Sequence, residues 1–272
     1  MLILSDSQNT NIGSKTYFLA FENVSLISIS PACHIMQMTS TTDNSIFLIA
    51  ALAVASAGFV CYYFLPVAKF VQSWFRPEKQ ETMVVLFQRL LGFIIFGILP
   101  VVIIQFPEGA DISQFGIKCP VGATWYWTAF LSVLVVVMNL LNASRPANLA
   151  MYPQVRKKEW SVKLFVASAL TWILYLIGYE FLFRGFLLFA ALPVMGLWPA
   201  IALNTAIYML VHLPKGIKET LGAIPLGVIL CYLTVQTGSI WIAVLVHIVM
   251  ALSNEWLSLR AHPGMFVKFM KS

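Results

Sequence analysis

Glu180 and Arg184 lie four residues apart in Gly178-Tyr179-Glu180-Phe181-Leu182-Phe183-Arg184-Gly185, inside a long apolar run. At helical spacing they share one face, so carboxylate and guanidinium can neutralise each other. Taken alone, this pair is equally well a lock that holds a helix. His212 ends the next apolar run and His247 lies inside the last one. A solitary histidine in such a place is more often a hydrogen-bonded core residue than a ligand, but three apolar runs that together contribute Glu, His and His shift that balance. An ionisable side chain deep in an apolar span costs several kcal/mol and is a functional candidate by default. A carboxylate can take a proton from water, and imidazoles can bind a metal or stabilise an oxyanion, so the set suits polarising a water molecule.

The elements that must carry these side chains follow from composition. Of 272 residues, 60% are hydrophobic and only 10% charged, which excludes an ordinary soluble fold. Runs of about 20 apolar residues, enough to cross a ~30 Å hydrocarbon layer, recur from residue 45 onward. They predict an all-α polytopic membrane helical bundle of about seven spans: Ser45 to Leu65, Met83 to Gln105, Thr124 to Leu141, Trp160 to about Leu192, Trp198 to His212, Thr220 to Gln236 and Ser239 to about Leu257. Counted from the outer turns at 1.5 Å per residue, Glu180 lies ~18 Å deep, His212 ~21 Å and His247 ~13 Å. One layer of the membrane therefore holds all three.

Charge sets the expected topology. Lys69, Arg76 and Lys79 follow the first span, Arg145, Arg156, Lys157, Lys158 and Lys163 lie between or at the edge of the third and fourth, Lys215 and Lys218 follow the fifth, and Arg260, Lys268 and Lys271 follow the last; the alternate segments hold only Lys15 and Lys118. The N-terminus is thus predicted outside and the C-terminus in the cytoplasm. The net charge of +6 has the same origin and points to the anionic leaflet of the lipid bilayer, not to nucleic acid. Arg89, near the start of span two, is expected to snorkel. Trp125, Trp127, Trp160, Trp198 and Trp241 sit near span ends, as an interfacial belt would. The cysteines lack C-x-x-C spacing; Cys61 and Cys231 read as small apolar residues, and Cys33 and Cys119 could meet outside. Residues 1–44 read as a polar, poorly ordered leader without a signal-peptide pattern, with Met36 or Met38 as alternative starts. Residues 45–142 then supply three scaffold helices, and 143–272 a four-helix catalytic core.

Across roughly residues 160–257 the chain resembles the CAAX-protease and bacteriocin-processing family of membrane peptidases. That family carries Glu-Glu-x-x-x-Arg on one helix, an aromatic-x-x-x-His on the next and His-x-x-x-Asn or Asp on the last. Here Tyr179-Glu180-x-x-x-Arg184, Tyr208-x-x-x-His212 and His247-x-x-x-Ala251 are similar to those motifs in order and setting. Tyr179 stands where the family has its water-activating glutamate, and Ala251 where it has an amide or carboxylate. Asn254 and Glu255 lie one turn beyond Ala251, on the same face.

The resemblance implies an intramembrane endopeptidase in a bacterial cytoplasmic membrane, acting on a peptide or membrane-protein substrate. Glu180, His212 and His247 would activate water, either around a zinc ion or without one, and Arg184 would orient Glu180. Tyr179, Tyr208 and Asn254 would be auxiliary. Two other classes remain open from the residues themselves: a non-catalytic pseudoprotease or immunity-type scaffold, and a proton-coupled transporter using Glu180. Glu219 is expected to serve the start of a helix near the site. The substrate's identity and the oligomeric state have no sequence signal.

Overall fold

Within lipid a backbone amide finds no partner outside its own helix, so a chain this apolar must satisfy its hydrogen bonds as helices. The computed structural model describes residues 41–106, 111–120 and 122–268. Eight helices dominate them: α1 (Thr41–Phe64), α2 (Val67–Trp74), α3 (Pro77–Gln105), α4 (Gly122–Asn142), α5 (Val162–Met195), α6 (Leu197–Leu210), α7 (Ile217–Thr237) and α8 (Trp241–Ala261). Six of these, all but α2 and α6, are long and apolar enough to cross a membrane. The polar leader expected over residues 1–44 lies outside the described residues except for its last four, which already belong to α1; Cys33 lies outside them as well.

The fifth expected span is shorter than anticipated. α6 has 14 residues and stops at Leu210, so His212 sits in the turn beyond it and not at its end. Gly216, at φ +94°, and Pro214 shape that turn, because a positive φ suits glycine and proline cannot continue a helix.

α5 is the axis of the bundle. α3 packs along its first half, α1 against its second half, and α8 crosses it while lying lengthwise on α4; α6 and α7 form a closely packed pair. Both α3 and α5 contain a π-helical stretch, Ile94–Ile98 and Phe181–Leu187. They touch one another, and the approach is set by glycine. A Cβ on Gly178 would come within 3.0 Å of the Gly97 amide nitrogen and 3.2 Å of the Phe93 backbone, so the two helices meet main chain to main chain.

Two sequence expectations are overturned by packing. Arg89 does not snorkel: it is buried, donates to Gln154 Oε1 and to the Ser168 carbonyl and hydroxyl at 3.0 Å each, stacks over Trp172 at 4.1 Å and pairs with Glu255 at 3.4 Å. A partner on α8 and a polar segment between α4 and α5 make burial less costly than a reach to the headgroups. Trp160 belongs to no belt; it is 0% exposed, packed with Val155 and Leu259 where a two-strand ladder, β1 (Glu159–Ser161) beside β2 (Phe266–Lys268), closes over the ends of α5 and α8. Trp125, Trp127 and Trp198 are exposed on the outer surface.

Candidate active site

Glu180 is the last α-helical residue before the π stretch of α5. One residue more per turn than the α-helix requires changes which side chains share a face, and such stretches recur at functional sites. Gly185 permits it locally, since a Cβ there would lie 2.6 Å from the Phe181 ring and 3.0 Å from the Phe115 carbonyl. A wider helix leaves carbonyls poorly paired. Asn204 of α6 meets one of them, donating to the Phe183 oxygen at 2.5 Å while its own Oδ1 accepts from the Cys231 thiol at 3.2 Å. That polar residue in mid-helix joins α5, α6 and α7, and the sequence signal for it was present: an Asn inside an otherwise apolar run.

Glu180 is 0% exposed, and both its oxygens are engaged. Oε1 lies 2.5 Å from Nδ1 of His247, and Oε2 lies 3.1 Å from Nη1 of Arg184. The Arg184 contact is an ion pair without hydrogen-bond alignment; the guanidinium is wholly buried and otherwise rests over the Tyr208 ring at 4.0 Å. Because a carboxylate only accepts, the His247 Nδ1 carries the proton and its Nε2 is the basic nitrogen. His212 reaches the same tautomer by another route. Its Nδ1 donates to the Tyr208 carbonyl at 2.7 Å, again leaving Nε2 as acceptor.

His212, 8% exposed, and His247, 6% exposed, both border a cavity of about 710 Å³. The Tyr179 ring lies edge-on to each, 6.4 Å from His212 and 5.7 Å from His247 between ring centres, and Tyr208, Ala251 and Asn254 complete this part of the wall. Glu180 and Arg184 do not border the cavity. The order from the open space inward is therefore imidazole, carboxylate, guanidinium.

The expected scaffold helices also reach the cavity: Phe59 and Tyr63 of α1 and Asn139 of α4 stand in its wall, and the Tyr63 hydroxyl donates to the Val211 carbonyl beside His212 at 3.3 Å. Asn139 donates to the Met250 carbonyl and the Ser253 hydroxyl at 2.7 Å each, holding α4 to α8 beside His247. Lys215 and Glu219 face one another at 3.9 Å on the rim. Tyr152, before a cis Pro153, lines the opening, and burial raises its phenol above the ordinary value, so it presents a hydroxyl.

A metal centre fits these residues poorly. Among the described residues no three His, Cys, Asp or Glu side chains are grouped as a metal site, and both oxygens of Glu180 are already engaged. Glu255, placed by sequence one turn beyond Ala251, faces away from the site into the Arg89 network, where its Oε2 accepts from the Gln154 amide at 3.2 Å. Asn254 stays at the cavity wall and accepts from the Ser258 hydroxyl at 3.4 Å.

Residues 150–253, which take in α5, α6, α7 and most of α8, match the family model described as type II CAAX prenyl endopeptidase Rce1-like. Neither curated proteins nor solved structures give a match. With six long apolar helices among the described residues, three of them in the matched part, the chain is an integral membrane protein. Across the matched residues it is similar to the CAAX-protease family of membrane endopeptidases.

Proposed function

We propose that this chain hydrolyses peptide bonds within the membrane by a metal-independent water activation in which His247 is the base. The observation that carries the reading is the 2.5 Å contact between Glu180 and the inner nitrogen of a histidine that borders the cavity. Nε2 of His247 takes a proton as water attacks the scissile carbonyl, and Glu180 stabilises the imidazolium that forms. The proton then passes to the leaving amine as the C–N bond breaks. His212 presents a second acceptor that orients the water, and the Tyr179 hydroxyl donates to the developing oxyanion. Arg184 fixes the charge and rotamer of Glu180 from behind. The departure at Tyr179 thus moves the carboxylate's work back by one layer, from acting on water to acting on the histidine.

The test is digestion of a peptide library by purified full-length protein in lipid nanodiscs, with mass spectrometry of the products. His247→Ala is expected to lower cleavage at least ~100-fold, as loss of a general base does. Excess chelator is expected to leave the rate unchanged. Cleavage that persists in His247→Ala, or that stops on chelation and returns with zinc, overturns the mechanism. A second reading, a family member that binds peptides without cutting them, draws on Tyr179 and Ala251 at the cavity wall. It predicts binding of library peptides by the wild type with no product from any of them.

A further inference from the structure

A second cavity, of about 750 Å³, lies between the first turns of α3 and α5, outside the site described above. Both helices begin at this end, and four cations ring the space: Lys79 on α3, Lys157 and Lys158 before β1, and Lys163 in the first turn of α5. None of the four makes an ion pair with another described residue. The one carboxylate on the wall, Glu159, is held by Lys268 at 3.0 Å. Below the lysines the wall turns apolar. Met83 and Leu86 of α3 and Leu164 and Ala167 of α5 follow one another along the two helices, away from the charged end.

A polar, cationic mouth over an apolar groove between spanning helices matches an amphiphile with an anionic head. The volume, equal to that of ~25 water molecules, is far larger than a free phosphate ion fills. The apolar floor gives such an ion nothing to touch. We infer that the cleft between α3 and α5 holds one anionic phospholipid, its phosphate among Lys79, Lys157, Lys158 and Lys163 and an acyl chain along Met83, Leu86, Leu164 and Ala167. Lysine suits this role as a compact, mobile point charge near a headgroup phosphate. The site is independent of peptide cleavage.

Native mass spectrometry of the full chain in detergent tests the assignment, with phosphatidylglycerol, phosphatidylcholine of the same acyl chains, and inorganic phosphate as probes. One phosphatidylglycerol is expected to bind at least tenfold more tightly than phosphatidylcholine and to resist competition by excess phosphate. Each surface lysine contributes a factor of about five toward an anionic headgroup, so Lys157→Gln with Lys158→Gln is expected to weaken phosphatidylglycerol binding about 25-fold. These two side chains lie at least partly in solvent, so the variant keeps its fold. Ala167→Trp, which fills the groove, is expected to weaken it with the lysines intact, and Lys118→Gln, outside the cleft, to leave it unchanged. Equal binding of the two lipids, full displacement by phosphate, unchanged affinity in the lysine variant, or an equal loss in Lys118→Gln each overturns the proposal.

Discussion

Replacing Glu180 by Gln removes the charge that both Arg184 and His247 rely on, and the two losses can be read separately. Arg184 is fully buried, makes no aligned hydrogen bond and has Glu180 as its ion-pair partner. Leaving a buried cation without its partner costs about 3–5 kcal/mol. For a chain of this size each kcal/mol moves the unfolding midpoint by about 2–4 °C, so Glu180→Gln is expected to melt roughly 6–20 °C below wild type. Activity falls for a different reason. Where a carboxylate sets the tautomer of a catalytic imidazole, the amide lowers kcat about 10⁴-fold. Adding Arg184→Leu to Glu180→Gln removes the stranded cation, so the double variant should regain most of the melting temperature and none of the activity. The assays are dye-monitored thermal unfolding in detergent at fixed scan rate and cleavage of the best library peptide. If Glu180→Gln melts within 2 °C of wild type, a threshold set at about one kcal/mol or less, the burial argument fails. Recovery of cleavage in the double variant would show that Glu180 does not act through His247.

Gly178→Ala forces a methyl to within 3.0 Å of the Gly97 nitrogen, so a loss of about 1–3 kcal/mol is expected in the same melt, whereas Gly222→Ala, with open space around it, should be neutral or stabilising. Arg89→Ala and Glu255→Ala each leave one buried charge unpaired and should each cost about 3–5 kcal/mol, yet their combination should cost less than the sum, which a double-mutant cycle reads directly. Asn204→Leu deprives the Phe183 carbonyl of its donor and should cost about 1–3 kcal/mol, with Asn204→Asp no better because a carboxylate cannot donate.

The helical bundle was legible because apolar length is a direct readout of lipid crossing. Glu180, Arg184, His212 and His247 stood out for the same reason, as polar side chains in runs that should hold none. Their layering was not legible. Adjacent positions on an α-helix differ by ~100°, so sequence places Tyr179 and Glu180 on different faces without saying which one meets the cavity. That answer depends on the π stretch after Glu180 and on the Gly178–Gly97 approach, both of which are properties of two helices together. Arg89 was misread because its partner lies 166 residues away. A single charge near a span end looks identical whether it reaches for the surface or for a carboxylate on another helix. Trp160 was misread similarly: its cover is a strand pair between segments distant in the chain.

The brevity of α6 has a consequence for how solvent arrives. Fourteen residues rise ~21 Å, about 9 Å short of a ~30 Å hydrocarbon layer, and the mismatch has to be absorbed by dimpling of the bilayer or by hydration of the helix's polar end. That end is the His212–Lys215 turn, which opens onto the aromatic-walled chamber. The proposed hydrolysis needs a supply of water, and the short α6 would bring the aqueous boundary toward the imidazoles. Turnover should accordingly be faster in thin, short-chain bilayers than in thick ones.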